Sequence, residues 1–352
     1  MSFQPCQIPH AARQVAIALL VVVAAIGLSC KHAVSEPDSS TPFLIGPGTQ
    51  VSQGTNAYNI VWCDGGAEIA FTSLDPGGQI LHGTVMTVNV LSGATRTLDG
   101  TTRIFNAFLA AGDSVFYASL DPDNGQRVYV VPDNGVNVPA RQVGGGMIIA
   151  VSPDRTLLAS ESLFDTLDVV HLADDVSHRY PIQEGEHVET FSPDSRQILL
   201  TSGRLLNLTD GSFTSIPFPL PPAPYSVDWT LNGLYAVTTG GSSQDVYRLD
   251  NLLTGSVTDL WRATTVDMFG SGWVWSSDGR KFAFIRTSRM DVSPTVHYLY
   301  VCDLQSGTST LVLEVKVRFG RGTFAGLTSF AFSPDGRRIA YAVEGNIYYS
   351  NI

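Results

Sequence analysis

Two carboxylates, Glu189 and Asp228, occupy neighbouring copies of a phrase that recurs along this chain, and they are its leading acid/base candidates. Brought together, such a pair shares protons for hydrolysis or elimination, or holds a cation. A second acidic stretch, Asp121-Pro122-Asp123-Asn124-Gly125, offers two carboxylates and an amide, the oxygen ligands calcium prefers. It lacks the terminal bidentate Glu of a complete calcium loop, and its Pro and Asn-Gly favour a plain hairpin turn. The histidines (His10, His32, His82, His171, His178, His187, His297) form no i,i+4 pair and share no repeat position, so they read as surface groups. No GxSxG turn and no Gly-rich loop before a helix is present, which removes the serine-hydrolase and phosphate-cradling readings. Tyr180, Tyr225 and Trp261 are read as lying in connections near the Pro-rich stretch Ser215 to Ser226, where rings and prolines suit a peptide or a sugar.

The elements that position these residues follow from repetition. One phrase occurs seven times, clearest in Phe332-Ser333-Pro334-Asp335-Gly336-Arg337-Arg338-Ile339-Ala340-Tyr341 and in Trp275 to Phe284. Aligned on the Gly position, its anchors are 66, 112, 155, 195, 233, 279 and 336, a period near forty. Pro presets the first corner of a turn, Ser and Asp bond nearby N–H groups, and Gly takes the left-handed corner. Short apolar runs such as IAYA and FAFI then form a second strand, and further strand-and-turn signals complete a four-stranded unit. Just before each turn the residue is mostly large (Trp62, Phe108, Val151, Phe191, Trp229, Trp275, Phe332). The residue before that is mostly small (Val61, Ala107, Ala150, Thr190, Asp228, Val274, Ala331). Adjacent strand residues face opposite ways, so a ring in which large faces meet small ones buries both. The expected fold is all-β, a seven-bladed β-propeller of four-stranded antiparallel blades over residues 41–352, with six blades as the alternative. The last copy supplies three strands, so Thr41 to Ser52 is expected to add the fourth and close the ring.

Composition sets the surroundings. The chain has 352 residues and a net charge of −11, which argues against a nucleic-acid partner. Val15 to Leu28 is an uncharged apolar run, shorter than the ~20 residues of a membrane span and suited to the centre of a secretory signal. Gly27-Leu28-Ser29-Cys30 resembles a bacterial lipoprotein cleavage box, with Gly27 where such boxes usually carry Leu. The resemblance implies removal of residues 1–29, lipid on Cys30 and a flexible tether over residues 30–40, in a periplasmic, outer-membrane or cell-surface setting. Ordinary signal cleavage and a short uncleaved anchor are the alternatives. Only Cys63 and Cys302 remain in the fold, too few for a disulfide framework.

The repeated [F/W]-S-P-D-G-x-x-[I/F]-A-[F/Y] phrase resembles the WD40-like repeat of the TolB family and its exported relatives. It is also similar to the propeller half of prolyl-oligopeptidase-like enzymes, whose hydrolase domain has no counterpart here. TolB relatives have six blades and a preceding α/β domain, for which this chain has no room. The resemblance implies an exported, protein-binding module and does not identify the partner. The expectation is an envelope protein or peptide as partner, no cofactor unless calcium binds at Asp121 and Asp123, and membrane contact through the lipid anchor only. The alternatives are a hydrolase or lyase using Glu189 and Asp228, with or without a divalent cation, and a carbohydrate-binding propeller.

Overall fold

The computed structural model describes residues 44–45, 48–75, 82–111, 114–120, 125–133, 139–162, 165–221, 225–230, 233–240, 246–262, 268–287, 295–317 and 326–352. Four-stranded antiparallel blades follow one another along the chain, and there are seven, not six. The inner strands are Ala57–Trp62, the second part of Thr95–Ala111, Met147–Val151, Val188–Phe191, Tyr225–Thr230, Met268–Trp275 and Leu327–Phe332. From blade 6 through blade 1 to blade 5, neighbouring inner strands touch. Thr95–Ala111 serves two blades: its first part pairs with His82–Asn89, and its second part with Ser114–Leu120.

The core lies between blades rather than within one layer. Seven buried apolar clusters correspond to the seven blade interfaces, from blades 1 and 2 (Ala70, Val85, Tyr117, Val131) round to blades 7 and 1 (Trp62, Phe71, Ala340, Ile347). Second strands such as Lys281–Thr287 and Arg338–Val343 are therefore buried on both faces. This is why their sequences run apolar without alternation.

The recurrent turn is a local hydrogen-bond device. Ser152, Ser192, Ser276 and Ser333 each donate to the Asp two residues on, at 2.6, 2.6, 2.7 and 2.6 Å. Each hydroxyl oxygen also accepts the N–H five residues on, at 2.9, 2.9, 2.8 and 2.9 Å. The Ser192 hydroxyl and the Arg196 N–H hold the Asp194 carboxyl below its ordinary range, and Ser333 and Arg337 do the same for Asp335. Turns of adjacent blades are tied together: Ser195 Oγ accepts the Asp154 N–H at 3.2 Å, and Ser277 Oγ donates to the Pro334 carbonyl at 2.7 Å.

The left-handed corner falls on Gly279 and Gly336, but also on Arg155 (φ 62°) and Ser195 (φ 60°). A side chain at such φ costs about 1–2 kcal/mol, partly offset by the freedom Gly adds to the unfolded chain. Arg155→Gly is accordingly expected to stabilise the fold by about 0.5–1 kcal/mol, read as a higher urea midpoint. Ser195→Gly should show no such gain, because it also removes the acceptor for Asp154.

The ring closes through both ends of its chain. Thr49–Gln50 pairs with Tyr349 and Tyr348, giving blade 7 its fourth strand. Before it, Leu44–Ile45 pairs with Val315 and Glu314 at the outer edge of blade 6. The segment thus binds two blades where one was expected. Between these contacts Gly48 passes so close to Tyr341 that a Cβ would lie 1.8 Å from its hydroxyl oxygen. On the inner side of the joint, Trp62 Nε1 donates to the Ala331 carbonyl at 3.0 Å, a large residue meeting the small one of the neighbouring blade. Arg338 donates to the Gly66 carbonyl at 2.8 Å and lies 4.6 Å from the centre of the Trp62 ring.

Candidate functional site

Asp228 is the one carboxylate in a column where the other six blades place Val, Ala or Thr. It sits on the inner strand of blade 5, and its Oδ1 accepts the Thr190 hydroxyl at 3.0 Å and the Trp229 N–H at 2.8 Å. Thr190 occupies the same column in blade 4, so one hydrogen bond joins equivalent positions of adjacent blades. Burial raises the Asp228 carboxyl from an ordinary 3.8 to about 6, against the opposing pull of Trp229 and Thr190. The residue is nevertheless only half-buried. Many protein atoms surround the carboxylate, which removes most of its hydration, yet it keeps a path to solvent. Beside it, the buried Trp229 indole N–H has no acceptor among the described residues.

The hydroxyl that reaches Asp228 belongs to Thr190, and Glu189 is the extra residue of a β-bulge between Val188 and Thr190. A bulge re-aims the side chain it carries. The arrangement gives one carboxylate near its titration midpoint at mildly acidic pH, suited to exchanging a proton or accepting a donor from a ligand.

Other candidates divide by location. Asp121, Asp123 and Cys30 lie outside the described residues. Among the described residues, no cluster of three or more His, Cys, Asp or Glu is arranged to hold a metal ion. Cys63 and Cys302 are free, buried thiols in blades 1 and 6, and burial pushes both upward in pKa. His171 sits at the surface with Nδ1 3.0 Å from Asp174.

The aromatic surface expected near the Pro-rich stretch requires correction. Tyr180, Tyr225 and Trp261 belong to strands, Ser177–Pro181, Tyr225–Thr230 and Val257–Arg262, rather than to connections. The side chains of Tyr225 and Trp261 lie outside the described residues, whereas Tyr180 packs at the interface of blades 3 and 4. In the Pro-rich stretch, Ile216 and Leu220 join the cluster between blades 4 and 5. The ring of Phe218 covers Gly255, where a Cβ would meet it at 2.6 Å. Proline keeps this segment extended without backbone N–H donors, which suits a wedge between blades.

One polar pair was not foreseen. Glu161, at the end of the second strand of blade 3, is 8% exposed, and its Oε2 lies 2.8 Å from His187 Nδ1. Its other oxygen accepts the Val188 N–H of blade 4. The carboxylate fixes the ring of His187, which remains 62% exposed, so its other nitrogen can face solvent. The residues are 26 apart in sequence, and no local motif signals the pairing.

No protein-family model matches the chain, and no curated protein matches its sequence. Solved structures do resemble it in fold. A chain in the crystal structure of the mitotic checkpoint complex matches with a TM-score of 0.53 at 14% identity, over 92% of this chain and 98% of that one. The β-propeller domain of Myceliophteria thermophila Cps50 (Swd1) matches with a TM-score of 0.57 at 13% identity, over 88% of this chain and all of that one. With the blade count and closure described above, the molecule is a seven-bladed β-propeller. Its fold is of the WD40-like kind.

Proposed function

We propose that this chain is an exported propeller related to the TolB-like proteins, tethered to a membrane through lipidated Cys30, that binds protein or peptide partners in the cell envelope. The difference between its two faces carries the reading of a binding module. Turns after first and third strands lie on one face of each blade, and most have one length: residues 152–156, 192–196, 276–280 and 333–337, then 90–94, 172–176 and 252–256. Their polar groups are largely spent within the turn. Connections after second and fourth strands lie on the opposite face and, among the described residues, vary widely, from Gly146 alone to the six residues 182–187. A uniform face serves the fold, and a varied face on rigid blades is suited to recognition. Exposed Glu184 and the anchored His187 belong to it. The neighbouring structures, one taken from a multiprotein complex, are in keeping with a binding role.

The test has two arms. Cross-linking the full chain in envelope extracts should place partner contacts on the varied face, and the paired change Glu184→Lys with His187→Ala should weaken capture at least tenfold. Capture unaffected by that change, yet lost on altering exposed Arg196, would move recognition to the uniform face. In the second arm, Cys30→Ala should shift the protein from the membrane to the soluble fraction. Retention at the parent level would remove lipidation from the proposal. The perturbed carboxylate favours one other reading, a propeller hydrolase or lyase, which requires turnover of a substrate and its loss in Asp228→Asn.

A further inference from the structure

Among the described residues, blade 6 alone carries a fifth strand: Leu44–Ile45 lies outside Thr308–Val317 and pairs with Val315 and Glu314. The strand it covers is ten residues long, Thr-Ser-Thr-Leu-Val-Leu-Glu-Val-Lys-Val, and contains neither Gly nor Pro. An edge of that length, rich in branched residues, is a template for another strand. The other outer strands are blunted within themselves. Arg141 and two glycines mark blade 2, Arg179 and Pro181 blade 3, and Asp259 and Arg262 blade 5. Those of blades 4 and 7 have three and two residues, and the pairing in blade 1 shifts register twice.

Glu314 and Val315 are also the centre of a self-complementary stretch. A β-bulge leaves Val312 as an extra residue, and beyond it Leu313 to Val317 is a regular run. When two copies of this run pair antiparallel about a two-fold axis through Val315, Glu314 of each faces Lys316 of the other. An axis through Glu314 or Lys316 would set like charges opposite each other, so charge selects one register. Within one chain the two side chains already share a face of the strand, with Lys316 Nζ 3.6 Å from Glu314 Oε1.

We infer that the outer strand of blade 6 is a pairing site for a second copy of this chain, and that Leu44–Ile45 is the strap that blocks it. Strap and copy compete for the same backbone groups of Glu314 and Val315. The strap holds by a two-residue ladder, whereas the segment after it is fixed to blade 7 by buried Val51 and by the Gly54 N–H donating to Asn346 Oδ1 at 2.7 Å. It can therefore leave blade 6 without opening the ring. While attached, it acts at an effective concentration of about millimolar, which keeps the chain a monomer below that level. Displacement or cleavage of the strap turns the monomer into a two-fold dimer. The inference depends neither on export nor on the varied face.

The test releases the strap in the full chain, held in mild detergent to shield the apolar run Val15 to Leu28. Leu44→Pro with Ile45→Pro removes two backbone donors and leaves Thr49–Gln50 in place. At about 100 µM, well below the effective concentration of the strap, sedimentation velocity should show the variant as a dimer and the parent as a monomer. Adding Lys316→Glu should weaken the dimer at least tenfold, and adding Glu314→Lys as well should restore it, a reversal that a merely structural role for either residue would not produce. If the proline variant folds poorly, a protease site inserted between Gly46 and Pro47 and cut after folding frees the strap from a ring already closed. A released chain that stays monomeric overturns the inference. So does a dimer that is indifferent to Lys316→Glu or not restored by the double exchange, and so does a parent that dimerises equally with its strap in place.

Discussion

A chain beginning at residue 55 is expected to melt about 10 °C below one beginning at residue 41. The cut removes the fourth strand of blade 7 and with it Val51, which is buried in the cluster joining blades 7 and 1. Burying a Val side chain contributes about 1.5–3 kcal/mol. The Val51 N–H to Ile347 carbonyl bond at 2.8 Å and the Ser52 hydroxyl accepting the Ile347 N–H at 3.2 Å are also lost, at roughly 1 kcal/mol each. With the two-residue ladder the loss comes to about 5 kcal/mol, which at ~2 °C per kcal/mol gives the shift above. The open edge of Asn346–Asn351 would also favour association between chains. Scanning calorimetry of the two chains decides the matter. Coincident melting would mean that the ring is held by its inner contacts alone, such as those of Arg338 and Trp62.

At pH 8, Asp228→Asn is expected to be more stable than the parent by about 2 kcal/mol, and at pH 4 the two should be equal. Burial raises the folded-state pKa of Asp228 to about 6, above its ordinary 3.8. The folded protein therefore holds this proton more tightly than the unfolded chain does. Stability linked to the group is fully present below about pH 4 and is lost as pH rises through about 6. The shift corresponds to roughly 3 kcal/mol, reduced to about 2 because the residue keeps partial contact with solvent. Asparagine carries no charge and retains a carbonyl oxygen to accept from Thr190 and Trp229. Urea midpoints at the two pH values measure the difference directly. Equal stability at both would mean that the carboxylate is well hydrated, which would weaken its standing as a proton-exchanging site.

Legibility in the sequence followed the range of the interactions involved. The turn at Ser333-Pro334-Asp335-Gly336 could be read because every bond that makes it lies within six residues, and because four copies repeat it bond for bond. Arg155 and Ser195, aligned with those glycines, share their left-handed backbone despite having side chains. The alternation of large and small residues before the turn was also readable, and it appears in the contact between Trp62 and Ala331. Glu161 and His187 were not readable as a pair, since a blade boundary lies between them. Likewise, nothing local in Asp228 announces that Thr190 of blade 4 will hold it.

Repetition and turn chemistry, both local, were enough to set the strand pattern and the count of seven blades, because each blade must bury its faces against the next. Tertiary structure decided what happens where that rule is incompletely satisfied. It placed Ile216 and Leu220 of the Pro-rich stretch between blades 4 and 5, where the sequence alone suggested a surface for rings and prolines. It divided the N-terminal segment between blades 6 and 7. The physical reason is the same in each case: strand lengths at the rim depend on where distant segments cross the ring, and burial at the wedge decides which of them stays.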